Sequence, residues 1–72
     1  MVREYLVVLE PTERNFGAYS PDLPGCVATG GTAEETLRRM RKAVAMHIRG
    51  LEEDGLPVPE PQSKASYVSV AV

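Results

Sequence analysis

The stretch Tyr19-Ser-Pro-Asp-Leu-Pro-Gly-Cys26, followed by the helix opening Thr32-Ala-Glu-Glu35, determines the fold of this 72-residue chain. The two prolines of the first segment hold φ at about −65°, and the residues before them are restricted to extended conformations. The glycine before Cys26 can take a positive φ where the chain re-enters a strand. This segment, called the proline loop (residues 19–26), therefore predicts a rigid turn between two short strands.

Two interpretations of the proline loop stay open at the level of sequence. Leu23, between the prolines, is suited to pack inward, and turn residues most often do no more than form a turn. The alternative is a preformed loop that presents side chains to a partner protein. The candidate partner-binding residues are then Tyr19, Pro21, Asp22, Leu23, Pro24, Gly25 and Cys26.

Strands are predicted before this loop and on both sides of it. Residues 3–10 have the pattern of a strand whose core, residues 5–9, is apolar on both faces. Such a strand lies in the centre of a sheet or across an interface. Residues 16–20 and 26–29 predict two more short strands, and the short connections favour an antiparallel meander.

A capped helix follows the third predicted strand. Thr32 is a strong N-cap residue, and Glu35 occupies the N3 position of a capping box. The apolar residues that follow recur at steps of three and four, which predicts one buried stripe along a helix that ends near Asp54. Gly55 is suited to the C′ position after that end. The stripe consists of Leu37, Met40, Val44, Ile48 and Leu51.

The last part of the chain predicts an extended strap and a strand. Pro57-Val-Pro-Glu-Pro61 lacks most of the donors that a helix or a ladder requires, so we expect it to cross the surface. In residues 66–72 every second residue from position 68 is a valine, so the valines lie on one face, which predicts a fourth strand. The order βββαβ indicates an α+β domain (residues 1–72) with one helix packed on a four-stranded, mainly antiparallel sheet.

Length and composition limit the functions open to this chain. A domain of 72 residues buries only about 60% of its unfolded surface, so we expect a homodimer or a higher homo-oligomer. The formal net charge of −2 gives no support for nucleic-acid binding through bulk charge. No apolar run is long enough to cross a membrane, and the single cysteine favours a cytoplasmic protein.

Catalytic and metal-binding groups are sparse. Cys26 and His47 form the only candidate nucleophile and base, but no Asn or Asp is placed to orient the imidazole. A small thiol enzyme is therefore the least favoured alternative. One cysteine and one histidine do not make a zinc site, and the carboxylates are spread over strand ends and turns. We predict no catalytic residues, no metal site, no cofactor and no small-molecule substrate.

One basic cluster on the helix is the basis of a further alternative. Its side chains point in different directions around the helix axis, and acidic residues at both helix ends balance their charge. A solvated helix face is the simpler interpretation, and an orphan RNA-binding domain is the alternative. The candidate RNA contacts are Arg38, Arg39, Arg41 and Lys42.

Four motifs are distributed along the chain. The first is the end of the apolar strand at Leu9-Glu-Pro11, and the second runs from Gly17 through Pro-Asp-Leu-Pro-Gly-Cys to Val27. The other two are Gly31-Thr-Ala-Glu-Glu35 and Leu51-Glu-Glu-Asp-Gly-Leu-Pro-Val-Pro-Glu-Pro61. Together these motifs resemble the HicB-like antitoxins, in particular their N-terminal domain. The second and fourth motifs are quite specific in combination, and the resemblance extends over almost the whole chain.

The resemblance implies a partly degraded ribonuclease-H-like fold and a non-enzymatic function. A domain of this kind binds and neutralises a small toxin of the HicA type, an RNA-cleaving protein of the double-stranded-RNA-binding-domain type. Antitoxins of this kind often have a second, C-terminal DNA-binding domain. No such segment follows Val72, so we expect a stand-alone HicB-like domain that binds no DNA and interacts with protein partners.

The comparison with ribonuclease H also implies an inactive site. A working site of that type holds magnesium with acidic residues on its central strands and helix. Residues 5–9 and 67–72 contain no acidic residue. We therefore expect no nuclease activity.

Overall fold

A computed structural model describes residues 2–72 of the chain. Within these residues three strands precede a single helix: β1 (Val8–Pro11), β2 (Phe16–Tyr19), β3 (Val27–Gly30) and α1 (Ala33–Glu53). The strands form one antiparallel sheet in the order β1-β2-β3. The helix packs on this sheet, mainly over β2 and β3. The predicted meander and the helix that covers it are therefore confirmed.

The hydrophobic core lies between the helix and the sheet. Its buried apolar side chains are Ala18, Leu23, Cys26 and Met40. The half-buried residues Tyr5 and Val7, from the segment before β1, pack against this core, as does Val44 of the helix. Met40 belongs to the predicted helix stripe and is fully buried, whereas the other members of the stripe are half-buried. The stripe is therefore confirmed as the face that meets the sheet.

The helix and the sheet come very close together at the end of β3. A Cβ atom built on Gly30 would lie 2.6 Å from the Thr36 Oγ1 atom and 2.9 Å from the Thr36 backbone nitrogen. Thr36 is fully buried, and its hydroxyl donates a hydrogen bond of 2.7 Å to the carbonyl oxygen of Thr32. Because Gly30 has no side chain, the first turn of α1 rests directly on the backbone of β3.

Side-chain hydrogen bonds fix the start of the helix. The Thr32 Oγ1 atom accepts a hydrogen bond of 3.0 Å from the amide of Glu35, which confirms the predicted N-cap. The Glu35 carboxylate accepts a hydrogen bond of 2.9 Å from the amide of Gly31. This hydrogen bond, and after it the charge of Arg39, lowers the pKa of Glu35 below its ordinary value. Gly31 and Thr32, the two residues that link β3 to the helix, are thus both hydrogen-bonded to Glu35.

The helix ends in a Schellman motif. Asp54 is the C-cap residue, and Gly55 follows it with a φ of 68°. The amide of Leu56 donates to the carbonyl oxygen of Leu51 at 2.9 Å, and the amide of Gly55 donates to that of Glu52 at 3.1 Å. The predicted C′ position of Gly55 is therefore observed.

The proline-rich strap runs back past the segment that precedes β1. The Tyr5 hydroxyl donates a hydrogen bond of 2.6 Å to the carbonyl oxygen of Pro59. Next to it, Arg3 forms an ion pair with Glu60 at 3.1 Å. An exposed ion pair of this kind adds little stability, so the position of the strap depends mainly on hydrogen bonds and on its half-buried residues, Val58, Pro59 and Pro61.

The first strand begins later than the sequence predicts, at Val8 rather than at residue 3. Val8 pairs with Tyr19, the last residue of β2, so residues 3–7 have no neighbouring strand. Pro11 is the last residue of β1 rather than the residue after it. Proline is tolerated there because β1 lies at the edge of the sheet, where an amide donor is not needed.

The predicted fourth strand does not form in the single chain. Residues 66–72 belong to no helix or strand and are exposed throughout, with relative exposures of 100% for Tyr67 and 83% for Val68. The alternating pattern makes this segment suitable for a strand, but a strand also needs a sheet edge to pair with. The sheet therefore has three strands among residues 2–72 instead of the four that were predicted.

The close approach at β3 leads to a stability prediction. We expect Gly30→Ala to lower the free energy of unfolding by about 1–3 kcal/mol, because the new methyl group overlaps the backbone of Thr36. Urea unfolding followed by circular dichroism measures this difference.

Gly31→Ala is the matched control for this prediction. Its Cβ would meet only the Glu35 carboxylate oxygen, at 3.8 Å, so we expect a change of less than about 1 kcal/mol. Equal losses in the two variants would contradict the role assigned to the contact between Gly30 and Thr36.

Candidate functional site

The proline loop is a compact double turn. The amide of Leu23 donates to the carbonyl oxygen of Ser20, and the amide of Cys26 donates to that of Leu23, both at 3.1 Å. Gly25 has a φ of 83°, a conformation that residues with a side chain rarely adopt. The Leu23 side chain is 0% exposed and fills the core under the loop. The interpretation of the loop as a well-packed corner is confirmed.

The seven predicted contact residues differ in what they offer a partner. Leu23 and Cys26 are buried in the core, and Asp22 is half-buried and hydrogen-bonded within the chain. A partner therefore has direct access only to Tyr19, Pro21, Pro24 and Gly25. Partner binding by these four residues stays a prediction.

Asp22 anchors the far end of the strap to the loop. Its Oδ2 atom accepts hydrogen bonds from the amides of Gln62 at 3.1 Å and Ser63 at 3.0 Å. Its Oδ1 atom accepts one from the Ser63 hydroxyl, also at 3.0 Å. The hydrogen bond from the Ser63 amide is the largest of the effects that lower the pKa of Asp22 below its ordinary value. This role is absent from the sequence interpretation, because the partners lie about 40 positions away along the chain.

The sheet has an outer face that the helix does not cover. Val8, Tyr19 and Val27 stand opposite one another in the three strands and form an apolar row across this face. Tyr19 is 41% exposed and Val27 is 64% exposed. Since Tyr19 also begins the proline loop, the row and the accessible loop residues form one continuous surface, here called the open sheet face.

A hollow lies next to this apolar row. Gly17 stands between Glu10 of β1 and Thr29 of β3, and a Cβ atom built on it would meet no other atom within 4 Å. A shallow groove includes these three residues together with Tyr19 and Val27. The open sheet face therefore combines an exposed apolar row with a depression that can receive a side chain of a partner.

Cys26 and His47 do not form a catalytic pair in this structure. Cys26 is 4% exposed, and burial raises the pKa of its thiol, which favours the unreactive protonated form. His47 is half-buried on the helix, and no side-chain hydrogen bond joins it to Cys26 within residues 2–72. The thiol-enzyme alternative therefore gains no support from the geometry.

The basic cluster of the helix is exposed, but one of its members has a structural role. Arg39 donates a hydrogen bond of 3.0 Å to the carbonyl oxygen of Thr29 on β3, and it forms an ion pair with Glu35 at 3.4 Å. The remaining candidate RNA contacts, Arg38, Arg41 and Lys42, are exposed. Arg39 thus fixes the helix to the edge of β3.

Residues 2–72 contain neither a cluster of metal-binding side chains nor a helix that could cross a membrane. Residues 2–72 do not bring together three or more histidine, cysteine or acidic side chains in a geometry that could hold a metal ion. Over the same residues, no helix combines the length with the apolar character that crossing a lipid bilayer requires.

The family model described as the HicB-like antitoxin of bacterial toxin-antitoxin systems matches residues 5–70. The chain belongs to the HicB-like antitoxin family. The match includes all three strands, the proline loop, the helix and the strap, and it confirms the resemblance drawn from the four sequence motifs.

Known proteins similar to this HicB-like chain include one solved complex. A chain of the HicA3 and HicB3 toxin-antitoxin complex is 32% identical in sequence, with a TM-score of 0.71. The similarity covers 83% of the present chain and 70% of that one. The α+β fold of this chain is therefore also found in a toxin-antitoxin complex.

Two curated proteins are also similar to this HicB-like chain. An uncharacterized 14.9 kDa protein from the rep-hol intergenic region of Haemophilus phage HP1 (strain HP1c1) is 28% identical over 65 residues, or 90% of this chain. The chain spans only 49% of the phage protein. A UPF0150 protein of Helicobacter pylori (strain J99) is 39% identical over 49 residues, which are 68% of each chain.

The Asp22 anchor leads to a prediction about pH. Because the pKa of Asp22 is lowered in the folded chain, the anchor is fully formed above the ordinary carboxyl pKa. It is lost as the pH falls from the ordinary carboxyl pKa through the lowered folded value. We expect the amide chemical shifts of Gln62 and Ser63 in an NMR titration to move together in this range.

Asp22→Asn is the control for the titration. It keeps an acceptor oxygen and removes the charge, so the same two amides should lose their acid transition and exchange faster with solvent at neutral pH. If the transition persists in Asp22→Asn, another group causes it and the anchor is wrongly assigned.

Proposed function

We propose that this HicB-like chain is an antitoxin that binds and neutralises a small RNA-cleaving toxin of the HicA type. The main support is the structural similarity to a chain of the HicA3 and HicB3 complex, at 32% identity and a TM-score of 0.71. Family membership over residues 5–70 points to the same function. The chain then acts by covering the toxin rather than by transforming a substrate.

The open sheet face and the accessible part of the proline loop are the proposed contact surface for the toxin. The apolar row of Val8, Tyr19 and Val27 supplies exposed hydrophobic area, which surfaces for protein partners require at their centre. Pro21 and Pro24 lie beside Tyr19 and hold the loop rigid, so little conformational entropy is lost on binding.

The charges of this surface suit a partner that binds RNA. A protein that binds RNA has basic groups for the phosphates. Glu10 is exposed on the open sheet face, and the whole chain has a net charge of −2. These charges favour association with a basic partner and give no attraction to RNA itself.

In the proposed function the chain acts as a non-catalytic homodimer. It has no catalytic role, since its single thiol is buried and protonated and His47 does not activate it. It acts as a homodimer, because its core is small for a chain that folds alone. The single cysteine favours the cytoplasm as its location. Its fold is a reduced ribonuclease-H-like fold without the acidic site, as the family resemblance implies.

A capture experiment with the tagged 72-residue chain tests this function. We expect a small basic protein to be recovered from the source cells, to cleave RNA when purified alone, and to be inhibited by a stoichiometric amount of the chain. Failure to recover a protein with this RNA-cleaving and inhibited behaviour would contradict the antitoxin function.

Gly17→Val tests the surface. The space above Gly17 is open, and valine suits a strand, so the fold should tolerate the change while the hollow is filled. We expect the dissociation constant for the captured toxin, measured by calorimetry, to rise at least about tenfold. Gly50→Ala, which also has open space around its Cβ but lies on the helix, is the matched control and should bind normally. Unchanged binding by Gly17→Val would exclude the open sheet face as the contact surface.

A further inference from the structure

The chain has both an unpaired strand-like segment and an unpaired sheet edge. The segment is the C-terminal arm (residues 64–72), which is exposed along its whole length and forms no helix or strand. The edge is the free side of β1 together with residues 5–7 before it. We propose that two copies of the chain exchange their C-terminal arms, so that each arm forms a fourth strand on the β1 edge of the other copy.

The arm stands away from the body of the molecule. A compact chain of this length has a radius of gyration of about 11 Å, whereas the observed value is 14.0 Å. The molecule measures 49 × 27 × 20 Å, so one dimension is nearly twice the next. The arm nevertheless has large apolar side chains, and Tyr67, Val68 and Val70 are 100%, 83% and 78% exposed. Exposed apolar groups in an alternating pattern favour burial in a sheet.

The β1 edge has the pattern of a strand with two neighbours. Residues 5–9 are apolar on both faces, which is typical of a central strand. Among residues 2–72 of the single chain, β1 has only β2 beside it, and residues 5–7 have no strand neighbour. An open edge with such a sequence is a template for another strand. The arm is the one remaining segment among residues 2–72 with a strand pattern and no strand partner.

The opposite edge of the sheet is less available. On β3 the carbonyl oxygen of Thr29 already accepts a hydrogen bond from Arg39. The Arg39 side chain is held there by its ion pair with Glu35 at 3.4 Å. A strand that approached β3 would have to displace this side chain, whereas no side chain forms a hydrogen bond of this kind to β1 within residues 2–72.

A second copy is a better occupant of the edge than the arm of the same chain. Asp22 fixes residues 62 and 63 beside the proline loop, at the end of the sheet where Val8 meets Tyr19. The arm leaves the molecule from this point, and all of its residues stay exposed instead of folding back on β1. Each copy thus has a free strand and a free edge at the same end of its sheet. A twofold axis next to that end places the arm of each copy against the β1 edge of the other copy.

This inference specifies the interface of the homodimer in the proposed function, but it does not depend on the toxin. The open sheet face stays uncovered when an arm is added to the β1 edge, because a new strand lies beside the sheet rather than on top of it. The family match continues to residue 70, so most of the arm belongs to the matched domain.

Val70→Pro tests the exchange. The arm is exposed and contributes no residue to the hydrophobic core, so the helix and the three strands should fold normally, whereas a proline interrupts the ladder of an added strand. We expect sedimentation velocity to show a dimer of the unsubstituted chain, and the dimer dissociation constant of Val70→Pro to be at least about tenfold higher. Ser69→Thr, a strand-compatible change in the same arm, is the control and should leave the dimer intact.

Hydrogen exchange distinguishes the remaining outcomes. Amides of residues 67–71 and 5–7 should be protected together, and their protection should rise with protein concentration. A dimer unaffected by Val70→Pro, a monomer with a protected arm, or a monomer with an unprotected arm would each overturn the proposal. A monomer with a protected arm would mean that the arm pairs with β1 of its own chain. Because this readout uses the chain alone, failure of the toxin assay would contradict only the proposed function.

Discussion

The contact between Gly30 and Thr36 is the constraint on which the rest of the structure depends. There is no room for a methyl group between the end of β3 and the first turn of the helix, so the backbone of Gly30 is in direct contact with Thr36. The capping hydrogen bonds of Thr32 and Glu35 hold the helix start at this point. With the helix start fixed, Met40 comes to lie over Ala18 and Leu23, and a very small set of buried side chains suffices to close the core.

The surface features follow from this arrangement. Since one face of the sheet is used for the helix, the apolar row of Val8, Tyr19 and Val27 must lie on the other. The buried Leu23 side chain holds the proline loop against the core. Asp22 of the same loop anchors the strap through hydrogen bonds. A single loop therefore sets both the border of the open sheet face and the point from which the C-terminal arm departs.

Local features were predictable from the sequence, and features that join distant residues were not. The N-cap at Thr32, the C′ position of Gly55 and the inward packing of Leu23 each depend on a few neighbouring residues, and all were confirmed. The anchoring role of Asp22 depends on residues about 40 positions away, and no sequence pattern marks it. The alternating pattern of residues 66–72 predicted a fourth strand that the structure does not contain, because the pattern carries no information about which sheet edge is within reach.

The burial of Cys26 has a practical consequence. It is the single cysteine of the sequence, and at 4% exposure a thiol-alkylating reagent reaches it only when the helix separates from the sheet. When opening and closing are fast relative to the chemical step, the rate of alkylation reports the equilibrium population of the open state. The free energy of opening can thus be measured on the unmodified protein, in dilute solution or in a mixture, without an introduced probe.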